Sequence, residues 1–427
     1  MRTHFRAEHL ADAALAAAEK NLRACVHCGM CTATCPTYVL LGDERDGPRG
    51  RIVMMQKMLE EHAAPSAETV THLDRCLSCL GCRTACPSGV DYARLIDRSR
   101  AHIEQHYRRP VGERLLRWTI ANVLTRPALT RLALRLARLT SPLRPLLPLR
   151  LRSMVESADA MPIGRLHLPA AAGERRIALL PGCVQRVMAP DIDEAAARLL
   201  ARRRISVVPL EGAGCCGALP HHLGRENEAR MWAKRMIETF ERAPPFEGVL
   251  ITATGCASHI NEYEYLFLDD PDWRSRARAV SEKLLPLEGL LGPPHSRSKS
   301  KLRVALQVPC SQQHGLRWPD ASALLQASGF EVLQIPDGHL CCGSAGSYSI
   351  LQPKIASALR AGKLANILAV KPDVVATTNI GCLQHLSGPD APPIVHVAAL
   401  LDWAEGGPPP RAFGGRVQLM TTAQPAR

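Results

Sequence analysis

The sixteen cysteines of this 427-residue chain fall into two kinds of pattern, and both point to metal or redox chemistry rather than to disulfides. Cys25-x2-Cys28-x2-Cys31-x3-Cys35-Pro36 and Cys76-x2-Cys79-x2-Cys82-x3-Cys86-Pro87 are one run written twice. Three thiolates within seven residues wrap a corner of a [4Fe–4S] cube, and in chains with two such runs the fourth comes from the other run. That logic predicts one cube on Cys25, Cys28, Cys31 and Cys86, and a second on Cys76, Cys79, Cys82 and Cys35. Gly29 and Gly81 stand where backbone has to pass close to inorganic sulfide, and Pro36 and Pro87 turn the chain away after each run. Structural zinc is the competing reading, but zinc usually draws its four ligands from two separated pairs. Two cubes side by side form an electron relay.

The other eight cysteines belong to an internal repeat. Cys183 is followed after 31 residues by Cys215-Cys216-Gly217 and after 39 more by Cys256; Cys310 is followed after 30 by Cys341-Cys342-Gly343 and after 39 more by Cys382. Gly255-Cys256-Ala257-Ser258-His259 aligns with Gly381-Cys382-Leu383-Gln384-His385 at the same offset. Adjacent cysteines on a regular strand face opposite ways. Both reach one centre only from a turn, which Gly217 or Gly343 would supply, or through a multinuclear cluster. The eight are therefore candidate ligands of a further iron–sulfur or zinc centre, with His259 and His385 as donors that suit either metal. A redox dithiol and plain buried packing are the alternatives. Gly212-Ala213-Gly214-Cys215-Cys216-Gly217 also fits the G-x-G-x-x-G of a dinucleotide site. The second copy, Asp337-Gly338-His339-Leu340-Cys341-Cys342-Gly343, loses that glycine spacing and keeps the thiols. The sequence offers no convincing flavin fingerprint and no P-loop, and His221-His222 reads as a solvated helix start.

Elements that could hold these thiols follow from the alternation of apolar runs. The first copy predicts strands at 176–180, 205–210 and 248–254, with helices at 189–204 and 227–242. The second predicts strands at 302–308, 330–335 and 373–378. Strands separated by helices form parallel sheets, whose carboxyl ends share one edge where ligands bind. Each repeat cysteine follows a predicted strand, so four thiols should converge at one edge of each lobe. The expected fold is α+β overall. A mostly helical ferredoxin-type two-cluster domain (1–106) and a basic amphipathic helical connector (107–173) precede two duplicated α/β lobes with parallel sheets (174–296 and 297–427).

Apolar residues make up 46% of the chain, enough for several cores, whereas aromatics at 4% are too few for single-stranded nucleic-acid platforms. Residues 107–152 hold eleven arginines and one acid, Glu113, and so carry most of the net charge of +13. Arg131, Arg135 and Arg138 form a stripe beside Leu132, Leu136 and Leu139, a pattern suited to anionic headgroups or an acidic partner. No DNA-binding module accompanies that charge, and nucleic acid is not an expected partner. Residues 1–21 read as a short amphipathic helix in which Glu8, Asp12 and Glu19 interrupt any secretory apolar core. No window of about 20 apolar residues is present. A cytoplasmic protein is expected, peripheral on the inner face of the membrane.

Two ferredoxin-type runs followed by two Cys-Cys-Gly repeats resemble the iron–sulfur subunits of glycolate oxidase. The segments from Leu41 to Ile52, from His72 to Cys76 and from Leu340 to Pro353 look like that family in particular. The resemblance implies an electron-transfer subunit without catalytic residues of its own. A FAD-binding partner would oxidise glycolate to glyoxylate, and electrons would leave through this chain toward a membrane quinone. The eight N-terminal cysteines match the family's cluster ligands. Related Cys-Cys-Gly domains of heterodisulfide reductases end in Cys-x2-Cys, where this chain has His259 and His385. A heterodisulfide-reductase-like thiol-redox enzyme and the iron–sulfur subunit of anaerobic glycerol-3-phosphate dehydrogenase share the layout and remain the alternatives.

Overall fold

The computed structural model describes residues 1–139, 166–168, 173–296, 298 and 300–416; the far part of the basic connector lies outside the described residues. The first helix, α1 (Ala13–Ala24), starts later than the sequence suggests because the Asp12 carboxylate accepts from the amides of Ala14 and Leu15. An N-cap of this kind satisfies donors that have no partner within the helix. After it come α2 (Pro36–Leu41), α3 (Pro48–Glu61), α4 (Ala67–Asp74), α5 (Gly81–Thr84) and α6 (Tyr92–His106). Leu15 and Leu22 of α1, Ile52, Met55 and Leu59 of α3, Leu73 of α4, and Leu95, Ile96 and Ile103 of α6 close one core. The first run is a loop between α1 and α2, and the second spans the segment around the short α5, so the helical core fixes how the runs face each other.

The described connector is helical as expected: α7 (Val111–Thr119), a π-helical turn (Ile120–Leu124) and α8 (Pro127–Leu139). Part of its charge is neutralised, since Arg109 and Arg117 reach Asp74 at 2.6 and 3.0 Å. The α8 helix leans on the turn Gln185–Met188 of the first lobe. Leu132, Leu136 and Leu139 on α8, and Val111, Leu115 and Trp118 on α7, remain more than half exposed.

The two repeats form two four-stranded parallel sheets. In the first, β1 (Arg175–Leu179), β2 (Ile205–Pro209), β3 (Gly248–Leu250) and β4 (Leu284–Leu285) lie in the order β2-β1-β3-β4. In the second, β5 (Arg303–Gln307), β6 (Glu331–Leu333), β7 (Val374–Thr377) and β8 (Ile394–His396) repeat it as β6-β5-β7-β8. Six of these strands are those the sequence predicts. The edge strands β4 and β8 are new; two or three residues are too short to show a period.

The repeats share a continuous core. Ile177, Leu179, Leu199 and Leu200 of the first pack in one cluster with Val304, Leu306, Val374, Leu400 and Leu401 of the second. There α9 (Pro190–Arg202) lies against α15 (Val397–Ala404), the last of the helices described below. Asp402, fully buried, accepts from Arg198 at 2.8 Å and from Arg202 at 2.7 Å. Neighbouring elements of the first lobe are α10 (Ala218–His222), α11 (Glu226–Arg242) and α12 (Thr254–Asn261); those of the second are α13 (Pro353–Ala369) and α14 (Ile380–Leu386).

The cluster domain sits on both lobes. Arg83 and Arg94 bind Glu262 of the first lobe. Thr84 is 2.8 Å from the His314 ring of the second, and the Tyr348 hydroxyl donates to the Arg75 carbonyl at 2.9 Å.

Candidate metal centres

The chain leaves α1 directly into Cys25, and the turn that carries Cys28 uses left-handed residues at His27 and Gly29. Cys35 ends the run at the N-terminus of α2, where Pro36 occupies the first helical position and needs no hydrogen-bond acceptor. In the second run Ser78 and Leu80 are left-handed, and Cys82 lies in α5. At Gly81 an added Cβ would lie 3.2 Å from the Thr34 carbonyl, so the close approach made there is to the backbone of the other run.

The thiols gather crosswise. The sulfur charges felt at Cys31 are those of Cys25, Cys86 and Cys28; those felt at Cys82 are Cys79, Cys76 and Cys35, with Cys31 beyond them. Burial pushes the Cys31 thiol up to about 11, and repulsion from its three neighbours adds to that. Burial and neighbouring thiols likewise raise Cys79 and Cys82. Crowded sulfurs that resist ionising together are a donor set for a cationic centre. The residues present fit two cubes side by side.

In each lobe the cysteines follow the carboxyl ends of the parallel strands and meet there. Cys183 follows β1, Cys215 and Cys216 follow β2, and Cys256 lies in the first turn of α12 after β3. The thiols form a chain, Cys183 to Cys215 to Cys216 to Cys256. Lobe two repeats it: Cys310 and Cys341 sulfurs are 3.8 Å apart, Cys342 and Cys382 sulfurs 3.6 Å. Hydrogen bonds from Cys215 and Cys256 lower the Cys216 thiol, and those from Cys341 and Cys382 lower Cys342. The turn that lets adjacent cysteines share a site is the expected one, with φ of +88° at Gly217 and +94° at Gly343. A Cβ at Gly343 would lie 2.7 Å from the Ala356 carbonyl and 3.1 Å from the His385 ring. His259 stands at the same place under Gly217. The second set adjoins a cluster run: Cys79 and Cys310 pack against the small core that contains Cys341, and of the charges acting on Cys79 that of the Cys310 sulfur is the largest.

Residues 21–90 match the family model described as a 4Fe-4S dicluster domain, and residues 177–261 and 304–387 match that of the cysteine-rich domain. The glycolate oxidase iron–sulfur subunit of Escherichia coli is 38% identical over 412 residues, 95% of this chain and 99% of its own length. This chain belongs to the family of glycolate oxidase iron–sulfur subunits. A Bacillus subtilis member, the probable glycolate oxidase iron–sulfur subunit, is 30% identical over 86% of this chain and 89% of its own. Lactate utilization protein A of the same organism is 26% identical over half of this chain and 91% of its own length. The family's cofactors are iron–sulfur clusters, and the dicluster model spans both N-terminal runs.

In this family member the structure adds residues that spacing does not reveal. Arg51, 1% exposed, lies beneath the second set: Nη1 is 3.8 Å from the Cys35 sulfur, Nη2 donates to Thr37 at 3.0 Å, and Nε donates to the His72 carbonyl at 2.8 Å. Its counter-ion Asp46 is fully buried and also accepts from His72 and Arg75. Burial alone would lower the Arg51 guanidinium; Cys76, Tyr92, Cys35 and Asp46 hold it charged. A lone arginine on an amphipathic helix carries no sequence signal of burial.

His221-His222 is not the solvated helix start expected. His221 is 8% exposed, and α10 packs on α6. Burial lowers both rings to about 4, at His222 against the opposing pull of the Asp97 carboxylate, and leaves them neutral at pH 7.

Proposed function

We propose that this chain is the electron-transfer subunit of a glycolate-oxidising complex. In this reading a FAD-binding partner takes electrons from glycolate, producing glyoxylate, and this chain delivers them toward a membrane quinone. The crosswise gathering of the two N-terminal thiol sets is the observation that carries it. Cys25, Cys28, Cys31 and Cys86 hold one cube; Cys76, Cys79, Cys82 and Cys35 hold the other. Bound there, the cubes supply one-electron chemistry at potentials that the surrounding protein sets. Arg51 places a positive charge beside the second set. Cys310, Cys341, Cys342 and Cys382 hold a further centre next in line after Cys79, and the chain's own contribution is to keep these sulfurs in sequence.

Attachment at the membrane surface belongs to the same reading. No described helix is long and apolar enough to cross a bilayer. The exposed Trp118, Leu132, Leu136 and Leu139, set among the connector's arginines, suit the headgroup region of an anionic leaflet.

The test is reconstitution of the complex with Cys35→Ser. Quinone reduction by glycolate should fall at least tenfold, while a dye that accepts directly from the partner's flavin is still reduced. Flavin binding or glycolate oxidation by the purified chain alone would sink the proposal.

A further inference from the structure

A second kind of ligand set contains no thiol, although Cys216 is near enough to His222 for the two charges to be felt by each other. Asp97 of α6 and His221 and His222 of α10 bring one carboxylate oxygen and two ring nitrogens within 4.8 Å of one another. We infer that these three residues bind a single divalent transition-metal ion of the zinc class, tying the cluster domain to the first lobe.

Four observations converge on it. Two imidazoles and one carboxylate are the ligand types of zinc or ferrous sites that keep a further position open. Next to the trio His259 is 5% exposed, its Nε2 has no hydrogen-bond partner, and its ring centroid is 5.0 Å from that of His221. The Nδ1 of His222 is likewise buried without a partner. A cavity of about 10 Å³ lined by Asp97, His221, Gly224 and Tyr265 among others has room for one water-sized guest. Finally, the loop after His222 is pressed onto α6 so closely that a Cβ at Gly224 would lie 2.3 Å from the Arg100 carbonyl.

The nearby cations are engaged elsewhere. Arg94 binds Asp91 and Glu262, Arg100 donates to Ser78 and to the Cys76 carbonyl, and Arg98, which lines the cavity, reaches Asp12 at 2.6 Å. The other trio among the described residues, the two carboxylates of Asp43 and Asp46 with the His72 imidazole, offers no such opening, because Asp46 already accepts from Arg51, His72 and Arg75. An ion at the first trio would bridge elements more than a hundred residues apart in the chain, and its binding free energy would add to the docking of the two units.

The experiment is metal analysis and zinc K-edge absorption on the full chain, purified anaerobically with zinc added. The expected result is one zinc per chain beyond the iron, with nitrogen and oxygen scatterers at about 2.0–2.1 Å. The His221→Gln/His222→Gln variant should lose that zinc and keep its iron. Asp97→Asn, which preserves shape, should weaken zinc binding at least tenfold if the double variant fails to fold. Zinc found only at sulfur distances of about 2.3 Å, or wild-type protein with no zinc held by nitrogen and oxygen, would overturn the assignment.

Discussion

Replacing Arg51 by methionine removes a buried positive charge from beneath Cys35 while roughly keeping the volume. The guanidinium Nη1 lies 3.8 Å from that sulfur, which puts the charge roughly 6 Å from the middle of a cube held there. At an effective dielectric constant of about 20 the interaction with one added electron is about 3 kcal/mol. For a one-electron couple this lowers the reduction potential by about 120 mV. The variant also leaves Asp46 with only Arg75 and His72, and breaking a buried ion pair costs about 3–5 kcal/mol. Arg51→Lys separates the two effects: it keeps the charge but loses the fork, so it should destabilise while shifting the potential far less. Redox titration followed by electron paramagnetic resonance reads both cubes at once. The cube on Cys25, Cys28, Cys31 and Cys86 should move little. A shift below about 20 mV in Arg51→Met, with both cubes intact, would refute the placement of the second cube over Arg51.

Three further outcomes follow from contacts already described. Gly343→Ala forces a left-handed alanine whose Cβ meets the Ala356 carbonyl at 2.7 Å, and should cost about 3 kcal/mol in denaturant unfolding; Gly89→Ala, with nothing within 4 Å, should cost about 1 kcal/mol. Asp402→Ala strands Arg198 and Arg202 at the seam between the lobes and should lower stability by about 3–5 kcal/mol; a change under about 1 kcal/mol in chemical unfolding would show that the seam does not depend on this pair. Burial would raise Glu262, but Arg94 and Arg83 prevail and hold its carboxyl below the ordinary range. Its stabilisation is therefore complete above the ordinary glutamate value of about 4.3 and lost as pH falls through the lower folded value. Glu262→Gln should be less stable than wild type by about 2 kcal/mol at pH 7, and the gap in unfolding midpoints should close in acid; a gap that persists there would contradict the ion pair.

Cysteine spacing is a local property, and so it was readable without the fold. A run of three thiols in seven residues has few ways to arrange itself, and the alternation of strands and helices in each repeat admits little besides a parallel sheet. From that alternation came six of the eight strands and the convergence of the repeat thiols at the strand ends. The expectation that Cys35 and Cys86 are supplied crosswise rests on both runs being present in one chain. Short edge strands such as Leu284–Leu285 were not legible, since they owe their conformation to pairing with a neighbour already in place.

What only the tertiary structure decided is what meets across long separations. Arg51 looks like any helix-surface arginine until Asp46, Cys35 and His72 close around it. His221 and His222 look solvated until α6 covers them and brings Asp97 alongside. The two repeats read alike, yet among the described residues it is the second that sets its thiols against Cys79, because the cluster domain docks with Cys79 toward that lobe and with α6 toward the other. Local spacing determines which atoms can share a centre within one turn of chain. Which of two equivalent centres faces a third depends on how whole units pack, and that is settled by apolar burial and ion pairs between residues far apart in sequence.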